Sequence, residues 1–169
     1  MAKKSNRELL QTPKGTHDIL PQDFPYREKI FAIGENLATF YGFKRIETPH
    51  FEKTDLFART LGETSDVVEK QMYNFRTRGG DALTLRPEGT APVARAFIEH
   101  GMVSWPQPVK LFYFGSFFRH ENPQRGRFRE FGQFGFELMG DDDPVTDALI
   151  IRLYYTMLVD LGFLHAREV

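Results

Sequence analysis

Apolar residues recur at spacings of three and four along residues 25–41, placing Tyr26, Ile30, Ile33, Leu37 and Phe40 on one side of a helical wheel. The spacing predicts an amphipathic helix with Gly42 at its C-terminal cap. Residues 43–48 then read as a strand ending near Pro49, because proline cannot donate to a central ladder. Residues 54–61 predict a short helix capped by Thr54 and stopped by Gly62, whereas residues 66–71 fit neither period. Residues 72–76 and 82–86 flank Arg78-Gly79-Gly80-Asp81 and predict a hairpin. Thr90 as cap, Pro92 in the first turn and Gly101 beyond the end mark another helix. The aromatic-rich residues 109–118 and the later residues 129–139 predict two long strands joined by a charged, glycine-containing loop. Asp143 and Pro144 open a last helix, residues 145–161, whose stripe is Leu149, Ile150, Leu153, Tyr154, Met157, Leu158 and Leu161, closed by Gly162.

This order of elements predicts one α+β domain, an antiparallel sheet flanked by helices, over residues 13–169, with residues 1–12 as a loose polar arm. The composition agrees: 169 residues suffice for one core, and 41% hydrophobic with 27% charged residues excludes a disordered chain. Seventeen phenylalanines, many in alternating runs, call for a large sheet. A net charge of -1 argues against a chain whose main task is gripping a nucleic-acid backbone, so any basic site is local. The absence of cysteine removes disulfides, thiolate zinc sites and cysteine nucleophiles together. The N-terminus lacks an apolar signal core, and no run approaches the roughly 18 apolar residues of a membrane span. A soluble, cytoplasmic protein without membrane contact is expected.

Local charge appears where the two long strands meet. Residues 119–129 hold four arginines, one histidine and one glutamate. A solvated hairpin loop would account for the charge alone. The flanking pattern adds more, since Arg119 and Glu121 close the first strand while Arg127 and Phe131 lie across the loop. A guanidinium fork, an acceptor, a second cation and an aromatic plate suit a bent nucleoside triphosphate. There is no GxxxxGK[ST], so the site is not a P-loop. Gln133 and Glu137, four apart on a strand, share one face.

Phe118-Arg119-His120-Glu121 followed by Arg127 and Phe131 resembles motif 2 of class II aminoacyl-tRNA synthetases, and FRHENPQ with GRFREF is similar to its histidyl form. LRPEGTA (85–91), KGTHD (14–18), GETSDVVEKQMYNF (62–75) and the Gln133 to Glu137 spacing in QFGFE resemble the same family, in the family's order. Together they span most of residues 13–162, which are thus similar to the N-terminal part of a histidyl-tRNA synthetase catalytic domain.

The resemblance implies ATP-dependent activation of histidine to histidyl-adenylate and transfer to tRNA(His), with ATP as substrate, Mg2+ as its companion and no dedicated metal-ligand set. It implies Arg119 as the catalytic group bridging the α-phosphate and the histidine carboxylate. Glu121 would accept from the adenine amine or help hold the metal, Arg127 would reach the terminal phosphates, and Phe131 would lie on the adenine. Glu88 and Thr90 would receive the α-ammonium group, with Gln133 and Glu137 on the floor beneath the bound histidine. Pro49 matches the motif 1 proline and implies a homodimer.

Each role has a plainer counterpart: a strand-end ion pair for Arg119, a core position for Phe131, a helix cap for Thr90, a strand stop for Pro49. Arg125 and Arg129 fit solvent equally well and stay outside the site. Gly132 and Asn122 depart from the usual pattern, which bears on loop geometry. The family's motif 3 arginine, histidine-specific loop and anticodon-binding domain have no counterpart in these residues, which implies weak or no catalysis by the chain alone. Two other readings remain: a histidine-sensing, synthetase-like regulatory subunit of ATP phosphoribosyltransferase, which PVAR and the REF-x-Q-x-G-x-E-L pattern would suit but the intact RPEGT and FRHE, with Glu88 and Glu121, speak against, and a non-catalytic dimerisation scaffold.

Overall fold

A computed structural model describes residues 10–62, 70–122 and 124–164. Helix α1 (Phe24–Phe40) carries Pro25 in its first turn, where a missing N–H breaks no helical bond. It ends where the Phe43 N–H donates back to the Ala38 carbonyl at 2.8 Å, across Gly42 at φ 80°. The apolar spacing overstates its buried stripe, for Tyr26 and Phe40 are 73% and 81% exposed. The helix instead seats Gly34 and Ala38, flanked by Phe31, Ile33 and Leu37, because small residues let it approach the aromatic sheet closely.

That sheet is ordered β1-β5-β6, with β1 (Lys44–Arg45) parallel to β5 (Val109–Phe118) and β5 antiparallel to β6 (Glu130–Met139). The long hairpin pairs from Val109 with Met139 to Phe118 with Glu130. Strand alternation gives it two faces. Phe112, Phe134 and Phe136 pack with α1 and α4 (Pro144–Asp160), whose Leu153 and Met157 are buried there. Leu111, Tyr113 and Phe117 turn the other way, toward Val93 of α3 (Thr90–Glu99) and Met102. Asp143 caps α4 by accepting from the Val145 N–H at 2.9 Å.

A second antiparallel sheet, ordered β2-β4-β3, comprises β2 (Phe51–Lys53), β4 (Ala82–Leu85) and β3 (Tyr73–Arg76). Helix α2 (Thr54–Leu61) follows β2 directly, so Thr54 is its first helical residue rather than its cap. The expected large sheet is therefore two sheets, stitched at Arg86. The Arg86 N–H donates to the His50 carbonyl and its own carbonyl accepts from Phe118, while its buried guanidinium donates to the Ser116 and Thr48 carbonyls at 2.9 and 2.8 Å. The guanidinium also stacks 4.5 Å from the Phe117 ring centre. The strand expected over residues 43–48 shortens to β1 plus one bond from the Ile46 N–H to the Phe112 carbonyl.

β2 has no counterpart among the elements the sequence predicts, since three residues are too few to show a period. Most of residues 66–71, and residues 1–9 of the expected arm, lie outside the described residues. Residues 10–12 are exposed and without regular structure.

Candidate active site

Two constellations stand side by side on the hairpin. The first is a polar floor on the α3 side of β5 and β6. Gln133 and Glu137 are joined there through Tyr113: the Gln133 Nε2 donates to the Tyr113 hydroxyl at 3.1 Å, and that hydroxyl donates to Glu137 Oε1 at 3.3 Å. Thr90 Oγ1 donates to the same oxygen at 2.9 Å. An ionised carboxylate only accepts, so Tyr113 must donate to Glu137 and accept from Gln133. The chain of bonds has one direction, and it leaves the Gln133 carbonyl and the second Glu137 oxygen as acceptors.

Desolvation raises the Glu137 pKa above the ordinary carboxylate range; the Thr90 and Tyr113 hydroxyls pull it back, and the charge of Glu88 adds to the rise. Burial, followed by the charge of Glu137, pushes the Tyr113 phenol far up, so it stays a donor. Its ring lies between Gly89 and Gly135, where a methyl group at either position would overlap it.

Glu88 takes the capping role that the sequence assigned to Thr90. Its carboxylate accepts from the Thr90 and Ala91 N–H groups at 2.6 and 2.9 Å, with Gly89 at the N-cap position. Thr90 is then free to turn its hydroxyl to Glu137. Glu88, Thr90, Gln133 and Glu137 are thus brought to one place. Tyr113 was not among the candidates; its signal was a lone hydroxyl facing the floor in an aromatic strand whose opposite residue is Gly135.

The second constellation is a cavity of about 360 Å³ lined by Arg119, Glu121, Arg127 and Phe131, with Phe128 and Gly132 beside them. Arg119 Nε donates to the Pro87 carbonyl at 2.9 Å, and its guanidinium carbon sits 5.6 Å from the Phe131 ring centre. Among the described residues its two Nη groups meet no protein acceptor, so the plainer role, a strand-end ion pair, is not formed. Arg127 Nη1 lies 3.3 Å from Glu121 Oε2 in an open pair, of a kind weak enough to separate for a ligand. Phe131 is half-buried against Phe117, serving the core and the cavity together. A Cβ at Gly132 would find nothing nearer than Arg27 at 4.0 Å, so the departure from the usual residue leaves that position uncrowded.

Pro49 stands apart from both constellations. It lines a separate groove of about 880 Å³ between α2 and α3, beside the Arg95 pair with Glu52.

The family model described as histidyl-tRNA synthetase matches residues 15–167. The chain is 50% identical over 154 residues to a histidine–tRNA ligase of Dehalococcoides mccartyi, covering 91% of this chain and 37% of that protein. Against the corresponding ligase of Desulforudis audaxviator it is 51% identical, with the same coverage of 91% and 37%. The apo histidyl-tRNA synthetase of S. aureus superposes with a TM-score of 0.77 at 41% identity, over 91% of this chain and 35% of that one. A Bacillus halodurans structure, described as an ATP phosphoribosyltransferase regulatory subunit/histidyl-tRNA synthetase, gives 0.78 at 28% identity, over 92% and 39%. The chain spans little more than a third of the length of the curated relatives it matches. A family match over residues 15–167, with half of the aligned residues identical, places the chain in the histidyl-tRNA synthetase family.

Proposed function

We propose that these residues are the N-terminal portion of a class II catalytic domain that activates histidine with ATP and passes it to tRNA(His). The observation that carries the reading is the adjacency of the two constellations. Arg119 borders the cavity, and its Nε is held by the carbonyl of Pro87, the residue next to Glu88. One guanidinium can then bridge an amino-acid carboxylate and a phosphate.

Activation in such a site needs no base. The histidine carboxylate is ionised at neutral pH and attacks the α-phosphorus, an oxygen–phosphorus bond forms, the bridging bond to the β-phosphate breaks, and pyrophosphate leaves. Arg119 holds both reactants in line and meets the charge that grows on the phosphorus oxygens. Arg127, released from Glu121, reaches the terminal phosphates, and Phe131 stacks on the adenine. Glu88 and Thr90 take the α-ammonium group. The floor offers acceptors to the imidazole N–H and excludes side chains that would leave those acceptors unpaired.

Among the described residues no three His, Asp or Glu side chains converge. A single carboxylate, Glu121, fits Mg2+, whose other ligands would be phosphate oxygens and water. The ion would neutralise phosphate charge. Pro49 and the α2–α3 groove fit a homodimer contact, no helix among the described residues is long and apolar enough to cross a membrane, and a cytoplasmic location accords with the family. The motif 3 side of the ATP grip and the tRNA-reading domain are not supplied by these residues.

The likeness to the Bacillus halodurans protein, whose name includes a regulatory subunit, favours a second reading, a histidine-sensing regulatory subunit. The two differ in nucleotide dependence. In calorimetric titrations of the chain, the synthetase reading expects histidine and ATP each to bind, with Arg119→Ala abolishing ATP binding and weakening histidine about tenfold or more. Histidine binding indifferent to Arg119→Ala, with no ATP binding by the unaltered chain, would favour the sensor. Binding of neither would leave only the scaffold.

A further inference from the structure

The segment KGTHD at residues 14–18 has no part in the site as described, yet it lies against the loop that forms the nucleotide cavity. Thr16 closes a tight turn, its N–H and hydroxyl both donating to the Pro13 carbonyl at 3.0 and 2.8 Å, with Gly15 at φ 86° inside it. The turn presents two carbonyls to Arg129. The Arg129 N–H donates to Gly15 at 2.7 Å, and its Nη1 donates to Lys14 at 3.4 Å. Arg129 then reaches both arms of the loop, because its carbonyl accepts from the Arg119 N–H at 2.9 Å and its Nε donates to the Glu121 carbonyl at 3.1 Å. Beside it, the His17 ring packs on Phe128 with centroids 4.5 Å apart. Phe128 is itself a wall of the cavity, next to Arg127.

We propose that residues 13–17 are a strap that sets the shape of the nucleotide cavity, with Arg129 and His17 as positioning residues for Glu121, Arg127 and Phe128. The bonds run from a turn fixed by its own short contacts, through one arginine, to the backbone on both sides of the loop. The loop's charged side chains make few contacts of their own: Arg127 and Phe128 are exposed, and the Arg127–Glu121 pair is open to solvent. Order imposed from outside the loop lowers the conformational cost of gathering two cations and a carboxylate around phosphates. The strap touches none of the floor residues Gln133, Glu137 and Tyr113 that are read as the histidine pocket, so its effect is confined to the nucleotide. That confinement rests on the function proposed above; the strap itself does not.

Hydrogen exchange on the chain tests the strap without any ligand. In His17→Ala the Arg129 and Arg119 amides exchange roughly three- to tenfold faster, the range that one such ring contact supplies. His17→Phe restores the slow rate, and the amides of Phe112 and Phe136 in the sheet centre keep theirs in both. Arg129→Met, which retains the backbone bond but loses both side-chain bonds, accelerates the Arg119 and Glu121 amides likewise. Unchanged rates in His17→Ala, or acceleration spread equally into the sheet centre, would overturn the strap.

Titration supplies the second arm. His17→Ala weakens ATP by the same three- to tenfold factor and leaves histidine affinity alone, with His17→Phe close to the unaltered chain. ATP affinity unmoved despite faster exchange would sever the strap from the cavity. If the unaltered chain binds no ATP, the function proposed above fails, and the exchange rates still decide the strap.

Discussion

The polar floor and the charged loop occupy neighbouring parts of one hairpin and are held in opposite ways. On the floor, Gln133, Tyr113, Glu137 and Thr90 stand on regular strand and helix, and every bond among them has a fixed direction. Tyr113 is wedged so closely between two glycines that its hydroxyl has one place to be. The loop carries its chemistry on side chains that meet solvent, and its order comes from main-chain bonds to Arg129 and from the turn at Gly15. In the function proposed above, telling a small imidazole from other side chains would demand unpaired acceptors at set positions. Gripping a flexible triphosphate would demand charges that can rearrange, and weak, exposed pairs would allow it.

Substitutions that test rigidity on one side and tolerance on the other put this contrast at risk. The largest effect is expected from Gly135→Ala, whose methyl group would drive Tyr113 out of its slot. About 3 kcal/mol of stability should be lost in urea denaturation, and a loss under 1 kcal/mol would show the floor to be more pliant than described.

Tyr113→Phe keeps the ring and removes the bridge between Gln133 and Glu137. It should cost about 1–3 kcal/mol in the same measurement and weaken histidine about tenfold in titration. Unaltered affinity would mean that the two polar side chains orient themselves.

Glu137→Gln removes the buried charge while keeping an acceptor for Thr90 and Tyr113. The folded-state pKa of Glu137 is raised, so its contribution to stability is present below the ordinary carboxylate pKa and is lost as pH rises through the raised value. The unaltered chain should therefore lose stability with rising pH over that window, and Glu137→Gln should lack that part of the slope. At neutral pH the variant should melt higher, while binding histidine less tightly. A lower melting temperature at neutral pH would contradict the assigned burial penalty.

The smallest change in stability belongs to Arg127→Ala. Calorimetric scans should show a shift within about 0.5 kcal/mol, although ATP affinity falls several-fold. A marked loss of stability would make the loop as structural as the floor.

Composition and capping signals carried the long elements well. Residues 109–118 are so rich in aromatics that β5 has the bounds the sequence implied, and Asp143 with Pro144 announced α4 and its cap. Period failed where a helix rests on small residues: Gly34 and Ala38 form the contact line of α1, while the large Tyr26 and Phe40 that suggested a stripe stay in solvent. Short range hid Glu88, because a carboxylate two residues before the first free helical N–H groups competes with threonine for the same capping duty. Tyr113 was hidden by company, one more aromatic ring in a strand of core aromatics. Arg86 was invisible as a joint between sheets, since what it binds are carbonyls at Thr48 and Ser116, far away in sequence. Resemblance named the candidate residues, but bond directions among them depend on which side chains the fold brings within reach.

Strand β6 pairs with β5 along one side only, and among the described residues nothing hydrogen-bonds its ten-residue outer edge as a strand. Apart from the Phe136 N–H, which donates to the Tyr154 hydroxyl at 3.3 Å, the backbone groups of that edge have no strand partner among the described residues, and such an edge is a template for an extended chain. The same strand that orients Gln133 and Glu137 thus offers its other edge to a further strand, which could be added there without entering the floor.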